Sequence, residues 1–162
     1  MKKAIVTTLS TLIFTLLVCS AALAESSNFN AQGRAVVPGL YTHYDRDTSY
    51  TYTYLSISNI TDKNVQCKVT ILDHDGNDQT SRGYVVSGHY NQSSVPQVPS
   101  TNGEFDIPAY GTRVFVLADK SQRYCIYGQA IIEWNSDDSK KSKALTGTMR
   151  YYGFAGSIYS VK

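Results

Sequence analysis

Apolar and polar residues alternate along most of the chain after its first two dozen residues. In the segment YTYTYLSISNI, which begins at Tyr50, Leu55 and Ile57 share one face of an extended strand and the tyrosines share the other. In the next segment, NVQCKVTIL, Cys67 falls on the apolar face. No window of 11 or more residues after the leader repeats apolar positions at helical spacing while avoiding Gly, Pro and β-branched runs. The pattern therefore predicts strands and no helices.

Further strand patterns are separated by turn signals along the rest of the chain. They cover residues 33–42, 83–86, 105–107, 113–117, 124–134, 144–153 and 156–161. The polar connection ITDKN predicts a hairpin turn, Gly128 predicts a bulge, and the Asp-, Ser-, Gly- and Pro-rich residues 73–104 predict the longest loop. This spacing predicts an all-β fold, an antiparallel β-sandwich of about seven to eight strands or a closed antiparallel sheet.

The first 24 residues have the pattern of a bacterial secretory signal. Lys2 and Lys3 are followed by an apolar stretch and by the small-x-small sequence Ala22-Leu23-Ala24. We therefore expect a signal peptide at residues 1–24, a flexible arm at 25–32 and a single β-sandwich domain at 33–162. The expected location is the periplasm or the extracellular space.

Charge and hydropathy exclude two classes of function. The chain has 15 Lys and Arg residues and 13 Asp and Glu residues; loss of the leader would remove two lysines and leave 13 of each sign. A neutral chain does not fit a nucleic-acid binder that depends on a basic surface. After the leader no run approaches the roughly 20 apolar residues that a transmembrane helix needs.

The predicted mature chain contains two cysteines, Cys67 and Cys125. An even pair in an oxidising compartment predicts a disulfide bond, with two separate buried thiols as the alternative. A bond would close a loop of about 59 residues and contribute roughly 4 kcal/mol on the chain-entropy model.

The layout of the strands resembles that of small bacterial β-sandwich proteins, among them the sensory rhodopsin transducer family. The similarity lies in the order of the segments LSISNITDKN, VQCKVTIL, FDIPAYGTRVFV and YGQAIIEW, and the shared layout extends over about 90 of the 138 residues of the predicted mature chain. The resemblance implies the sandwich fold and a binding or signalling module, and it brings no catalytic residues.

No combination of residues predicts a catalytic or metal site, and no cofactor is expected. The acidic segment that begins at Asp73 lacks the Gly and Glu spacing of an EF-hand, so a turn is the first interpretation and a calcium site the second. His43, His74 and His89 have no motif partner, and Glu133 has no second carboxylate that the sequence identifies.

Tyrosine is the residue type that departs most from expectation. The chain has 13 tyrosines, one tryptophan and five phenylalanines. Tyr50, Tyr52 and Tyr54 are predicted to form a stripe on one face of a strand, and Tyr151 and Tyr152 are further candidates for the same surface. Exposed tyrosine rings stack on sugars or contact proteins, whereas the alternative is that the stripe packs under a loop or against neighbouring aromatic rings.

These observations predict a secreted, non-enzymatic binding module. Its ligand is expected to be a glycan or a protein, bound through a tyrosine-rich surface and a long loop. The alternatives are a structural subunit that forms homo-oligomers through an edge strand and, less favoured, a secreted hydrolase.

Overall fold

A computed structural model describes residues 29–46, 49–88, 95–138 and 142–153, together with the backbone of residues 160–161. The predicted signal peptide and residues 25–28 of the predicted arm lie outside these ranges. In the described ranges, no helix is long and apolar enough to cross a membrane.

The described chain folds into ten β-strands. They are β1 (Gly33–Asp45), β2 (Ser49–Asn59), β3 (Val65–Asp73), β4 (Gly83–Val86), β5 (Gln97–Val98), β6 (Glu104–Ile107), β7 (Thr112–Leu117), β8 (Tyr124–Ser136), β9 (Leu145–Gly153) and β10 (Ser160–Val161). A single 3₁₀ turn, Thr80–Arg82, is the one helical element among the described residues. The prediction of an all-β fold is therefore confirmed.

All strand pairs are antiparallel and belong to one hydrogen-bonded network. Its main path runs β5-β4-β7-β2-β1-β8-β3-β6, with β9 on β2 and β10 on β9. Strands β1 and β2 pair at only three positions, from His43↔Thr51 to Asp45↔Ser49. This short link divides the network into two halves: β1, β8, β3 and β6 form one, and the remaining strands form the other.

The ITDKN connection is a turn, but the predicted hairpin is wrong. Strand β2 pairs with β1, β7 and β9, whereas β3 pairs with β6 and β8. The connection therefore carries the chain from one half of the network to the other. Buried Asn59 holds this crossing, because its amide donates to the carbonyls of Lys63, Ile107 and Pro108.

The sequence predicts a bulge at Gly128 of β8, and the structure has it on the neighbouring strand β1. The register of β1 against β8 shifts between Pro38 and Leu40, at Gly39, whose φ of 77° favours glycine. Gly128 is paired with Leu40 on one side and Asp73 on the other. A Cβ atom at Gly128 would lie 1.9 Å from the carbonyl oxygen of Leu72, so this glycine permits close backbone approach.

Side chains from both halves of the network share one apolar core. The alternation on β8 is as predicted: Ile126, Ala130, Ile132 and Trp134 are buried, while the intervening residues lie towards solvent. The main cluster also contains Leu40, Leu55, Ile57, Cys67, Val69, Ile71, Val85, Phe105, Ile107, Phe115, Leu117 and Met149. Burial of these side chains is the main stabilising contribution that the alternating pattern provides.

The predicted disulfide bond between Cys67 and Cys125 is not formed, because both thiols are free. Cys67 lies opposite Trp134 of β8, and Cys125 lies nine residues earlier on that same strand, opposite His43. At about 3.3 Å per residue the two cysteines are about 30 Å apart along the sheet. A disulfide requires Cα atoms about 4.4–6.8 Å apart.

Candidate functional site

The predicted tyrosine stripe lies on the outward face of β2. Leu55 and Ile57 are buried in the core, so the alternate positions of the strand, occupied by Tyr50, Tyr52 and Tyr54, point away from it. The sequence therefore predicted the face of this stripe correctly.

A fourth tyrosine joins the stripe from the neighbouring strand. Tyr152 of β9 is directly opposite Tyr52 in register. The rings of Tyr50 and Tyr52 stack with centroids 4.8 Å apart, and the rings of Tyr54 and Tyr152 meet edge to face at 6.4 Å. We call Tyr50, Tyr52, Tyr54 and Tyr152 the tyrosine surface.

The four rings differ in exposure. Tyr152 is 51% exposed, Tyr50 and Tyr54 are half-buried, and Tyr52 is only 6% exposed. Of the two alternatives that the sequence leaves open, packing against neighbouring aromatic rings therefore describes Tyr52. The ring of Tyr50 stacks on it, and the ammonium group of Lys120 lies 5.9 Å from its centroid.

The packing of the rings changes their acid–base properties. Burial is the largest cause that raises the pKa of Tyr52, and together with the nearby hydroxyl groups of Tyr124, Tyr44, Tyr50 and Tyr54 it brings this pKa to about 12. The hydroxyl groups of Tyr50, Tyr52 and Tyr54, whose pKa values are all raised, are therefore neutral at physiological pH, and each can both donate and accept a hydrogen bond.

Burial also raises the pKa of Tyr54, with Tyr84, Tyr152 and Tyr50 as further causes. Tyr84 and Tyr124 were not among the predicted site residues. Their strands, β4 and β8, reach this part of the molecule through pairings that no local signal in the sequence specifies.

Tyr151 lies on the opposite face of β9 from Tyr152. It pairs with the fully buried Thr53, packs against the core, and its hydroxyl group donates to the carbonyl of Gly39. Tyr151 therefore does not belong to the same face as Tyr152, although it also lines the groove beside that face.

A groove of about 420 Å³ opens beside the tyrosine surface. Its lining consists of Tyr54, Ser56, Val114, Arg150, Tyr151 and Tyr152. Arg150 pairs with Tyr54 in register and lies on the same face. The rings of Tyr54 and Tyr152 therefore form a corner of 85°, and the guanidinium group of Arg150 and the hydroxyl group of Ser56 line the same groove. The volume lies within the usual range of small-ligand sites.

A second polar cluster lies on the other half of the network. The hydroxyl group of Tyr41 and His43 Nδ1 are 2.9 Å apart, and His43 Nε2 is 2.7 Å from Ser49 Oγ. The Tyr41 ring also packs against Tyr127 at 4.8 Å. These hydrogen bonds align a serine hydroxyl group, an imidazole and a phenol at the point where β1 and β2 pair.

The acidic segment after β3 forms a turn. Asp73 Oδ1 accepts hydrogen bonds from the backbone N–H groups of Asp75 and Asn77, and Oδ2 accepts one from Gln79 at 2.9 Å. Burial alone would raise the pKa of Asp73, but these hydrogen bonds lower it below its ordinary value. Over the residues that the structure describes, no group of three or more His, Cys, Asp or Glu side chains is placed to hold a metal ion.

The remaining acid–base candidates are dispersed. His74 is exposed and lies 3.3 Å from Asp75, and His89 is outside the described residues. Glu133 lies opposite two cations in register, Arg34 on β1 and Lys68 on β3. Neither directly paired neighbour therefore supplies the second carboxylate that glycoside hydrolysis requires.

Comparison with protein-family models, curated protein sequences and solved structures gives no match to this chain.

Proposed function

We propose that this protein is an exported, non-enzymatic binding module that holds a glycan on its tyrosine surface. The observation that carries the proposal is the corner formed by Tyr54 and Tyr152 above a groove of about 420 Å³. A half-exposed ring offers a flat apolar face to a sugar ring, and the neutral hydroxyl groups offer hydrogen bonds to sugar hydroxyls.

The packing within the surface supports binding by a preformed site. The rings of Tyr50 and Tyr52 stack on each other with Lys120 beside them, and the rings of Tyr54 and Tyr152 meet edge to face. A preformed aromatic platform lowers the conformational entropy that is lost when a ligand binds. A protein ligand is the other partner class expected from the sequence, and it enters as an outcome of the test.

A binding screen tests this function. The purified protein is applied to immobilised glycans and proteins, and the screen is repeated with Tyr54→Ala plus Tyr152→Ala. We expect the wild-type protein to bind a glycan. The double variant should bind it with an affinity at least about tenfold lower, and Tyr54→Phe should retain the binding. Unchanged binding by the double variant, or binding to proteins alone, would contradict it.

A second candidate function is assembly through an edge strand, and the edges of β1 and β9 that no described strand covers favour it. Among the described residues, β1 pairs on the side away from β8 with β2 at positions 43–45 alone, and β9 pairs with β10 at Met149 and Arg150 alone. A groove of about 670 Å³ lies between them, lined by residues 33–38 and 142–149 above Leu55, Ile57, Ile132 and Trp134. Unpaired edges are templates for strand addition by a second copy of the chain.

Analytical ultracentrifugation of two charge variants tests the second candidate. Val36, which lines this groove, is 51% exposed, and Ile60 is equally exposed in the β2–β3 turn. If copies of the chain assemble through this groove, the wild-type protein should be an oligomer. Val36→Lys should dissociate this oligomer, and Ile60→Lys should leave it intact. A monomer at all concentrations, or dissociation by both variants, would contradict it.

We also infer that the two halves of the network are the layers of an antiparallel β-sandwich. The shared core and the short β1–β2 link support this arrangement. The resemblance to the sensory rhodopsin transducer family stays a prediction about this fold.

A further inference from the structure

Two grooves flank the tyrosine surface, and both carry basic side chains. The first contains Arg150 beside Tyr54 and Tyr152. The second, of about 490 Å³, is lined by Tyr44, Arg46, Lys120, Ser121, Gln122 and Arg123. Tyr44 and Lys120 connect this second groove to the tyrosine surface, because both lie close to Tyr52.

The described residues lining the two grooves include four cations and no carboxylate. Arg123 is neutralised by Asp45, with 2.7 Å between Nε and Oδ1. Arg46, Lys120 and Arg150 form no ion pair with any described acidic residue. The nearby carboxylate of Asp119 is already paired with Arg82.

This charge distribution is unusual for a chain whose predicted mature form has no net charge. Three cations that pair with no described acidic residue therefore line the grooves beside one cluster of tyrosine rings, an arrangement that favours an anionic ligand. A guanidinium group binds a carboxylate through two parallel hydrogen bonds, which a neutral sugar cannot provide.

We propose that the ligand of the tyrosine surface is an acidic glycan that contains uronic-acid residues. This inference rests on the proposed glycan-binding function and adds the chemical class of the ligand. The Tyr54 and Tyr152 rings bind the sugar faces, Arg150 binds a carboxylate in the first groove, and Lys120 and Arg46 attract a further carboxylate in the second.

A matched pair of ligands isolates the contribution of the carboxylates. Oligogalacturonides and their methyl esters have the same sugar backbone, and only the free acids carry negative charge. In calorimetric titrations at low salt, we expect the free acid to bind at least about tenfold more tightly than the ester. Added salt should reduce this ratio, because the cations are exposed.

Variants of single cations locate the effect. Arg150→Gln and Lys120→Gln should each bring the ratio of the affinity for the free acid to the affinity for the ester towards one. Lys63→Gln, which removes an exposed cation from the β2–β3 turn, is the matched control and should change neither affinity.

The outcomes separate this inference from the function on which it rests. Equal affinity for acid and ester, lost in the Tyr54→Ala plus Tyr152→Ala variant, would overturn the acidic ligand and support the glycan-binding function. An acid-to-ester affinity ratio that is unchanged in both cation variants would also overturn it. Tighter binding of a single-stranded oligonucleotide than of either glycan would overturn it as well. An absence of binding to every glycan would overturn both proposals.

Discussion

The side-chain amide of Asn59 donates a hydrogen bond to the carbonyl of Pro108, 3.0 Å away and 49 residues further along the chain. The same amide group donates to the carbonyls of Lys63 and Ile107, and its oxygen accepts from the backbone N–H of Thr61. One buried side chain therefore joins the crossing after β2 to the corner before β7.

Replacement of Asn59 should be costly. We expect Asn59→Ala to lower the free energy of unfolding by about 3 kcal/mol, because several buried backbone groups lose their partner. Asn64→Ala is the control: Asn64 is exposed and accepts one long bond of 3.3 Å from Ala109, so a change of about 0.5 kcal/mol is expected. Urea denaturation measures both values, and equal losses would contradict this account of the crossing.

The two cysteines should react at very different rates. Cys67 is completely buried, and burial raises the pKa of its thiol to about 12, whereas Cys125 is exposed. Alkylation of the native protein, mapped by mass spectrometry, should modify Cys125 alone, and Cys67 should react only after unfolding. A reducing agent should leave the melting temperature unchanged. Detection of a bond between the two cysteines would contradict the strand register.

Two glycines should respond unequally to substitution by alanine. A Cβ atom at Gly128 would lie 1.9 Å from the carbonyl oxygen of Leu72, whereas one at Gly76 meets nothing within 4 Å. Gly76→Ala should cost about 1 kcal/mol, the penalty of its positive φ of 83°. Gly128→Ala should cost more than about 3 kcal/mol, because two paired strands must separate. Thermal denaturation of both variants measures the order, and the reverse order would argue against the β8–β3 pairing.

Alkaline pH should reveal the burial of Tyr52. Its pKa is about 12 in the folded chain and about 10 when unfolded, so the folded state retains a proton that the unfolded state loses. This contribution to stability is complete below pH 10 and is lost as the pH rises from 10 to 12. Tyr52→Phe should therefore lose less stability than the wild type between pH 9 and 11. Equal slopes for the two proteins would show that Tyr52 is accessible to water.

Period-two alternation was sufficient to predict most strands and their faces. It placed Leu55, Ile57 and Cys67 inside and the tyrosines outside. The wrong disulfide prediction rested on the number of cysteines and the expected compartment, not on the alternation. Strand β5 was missed because its two residues lie between two prolines, a composition typical of loops.

Strand partners were not predictable from the same pattern. The alternation in β2 and β3 fits a hairpin and fits two strands in separate halves of the network equally well. In both arrangements each strand buries one of its two faces. The low exposure of Tyr52 was unpredictable for a similar reason. It depends on Lys120 and Tyr152, which reach β2 from positions 68 and 100 residues further along the chain.

The dissociation constant of the best-binding glycan, measured for Tyr152→Ala and Tyr127→Ala side by side, tests the binding role of the tyrosine surface most directly. Both side chains are about half-exposed, but Tyr152 belongs to the tyrosine surface and Tyr127 packs against Tyr41 on the other half of the network. The account predicts that Tyr152→Ala weakens binding by at least about tenfold and that Tyr127→Ala binds like the wild type. Equal affinities for the two variants, or a greater loss in Tyr127→Ala, would contradict it.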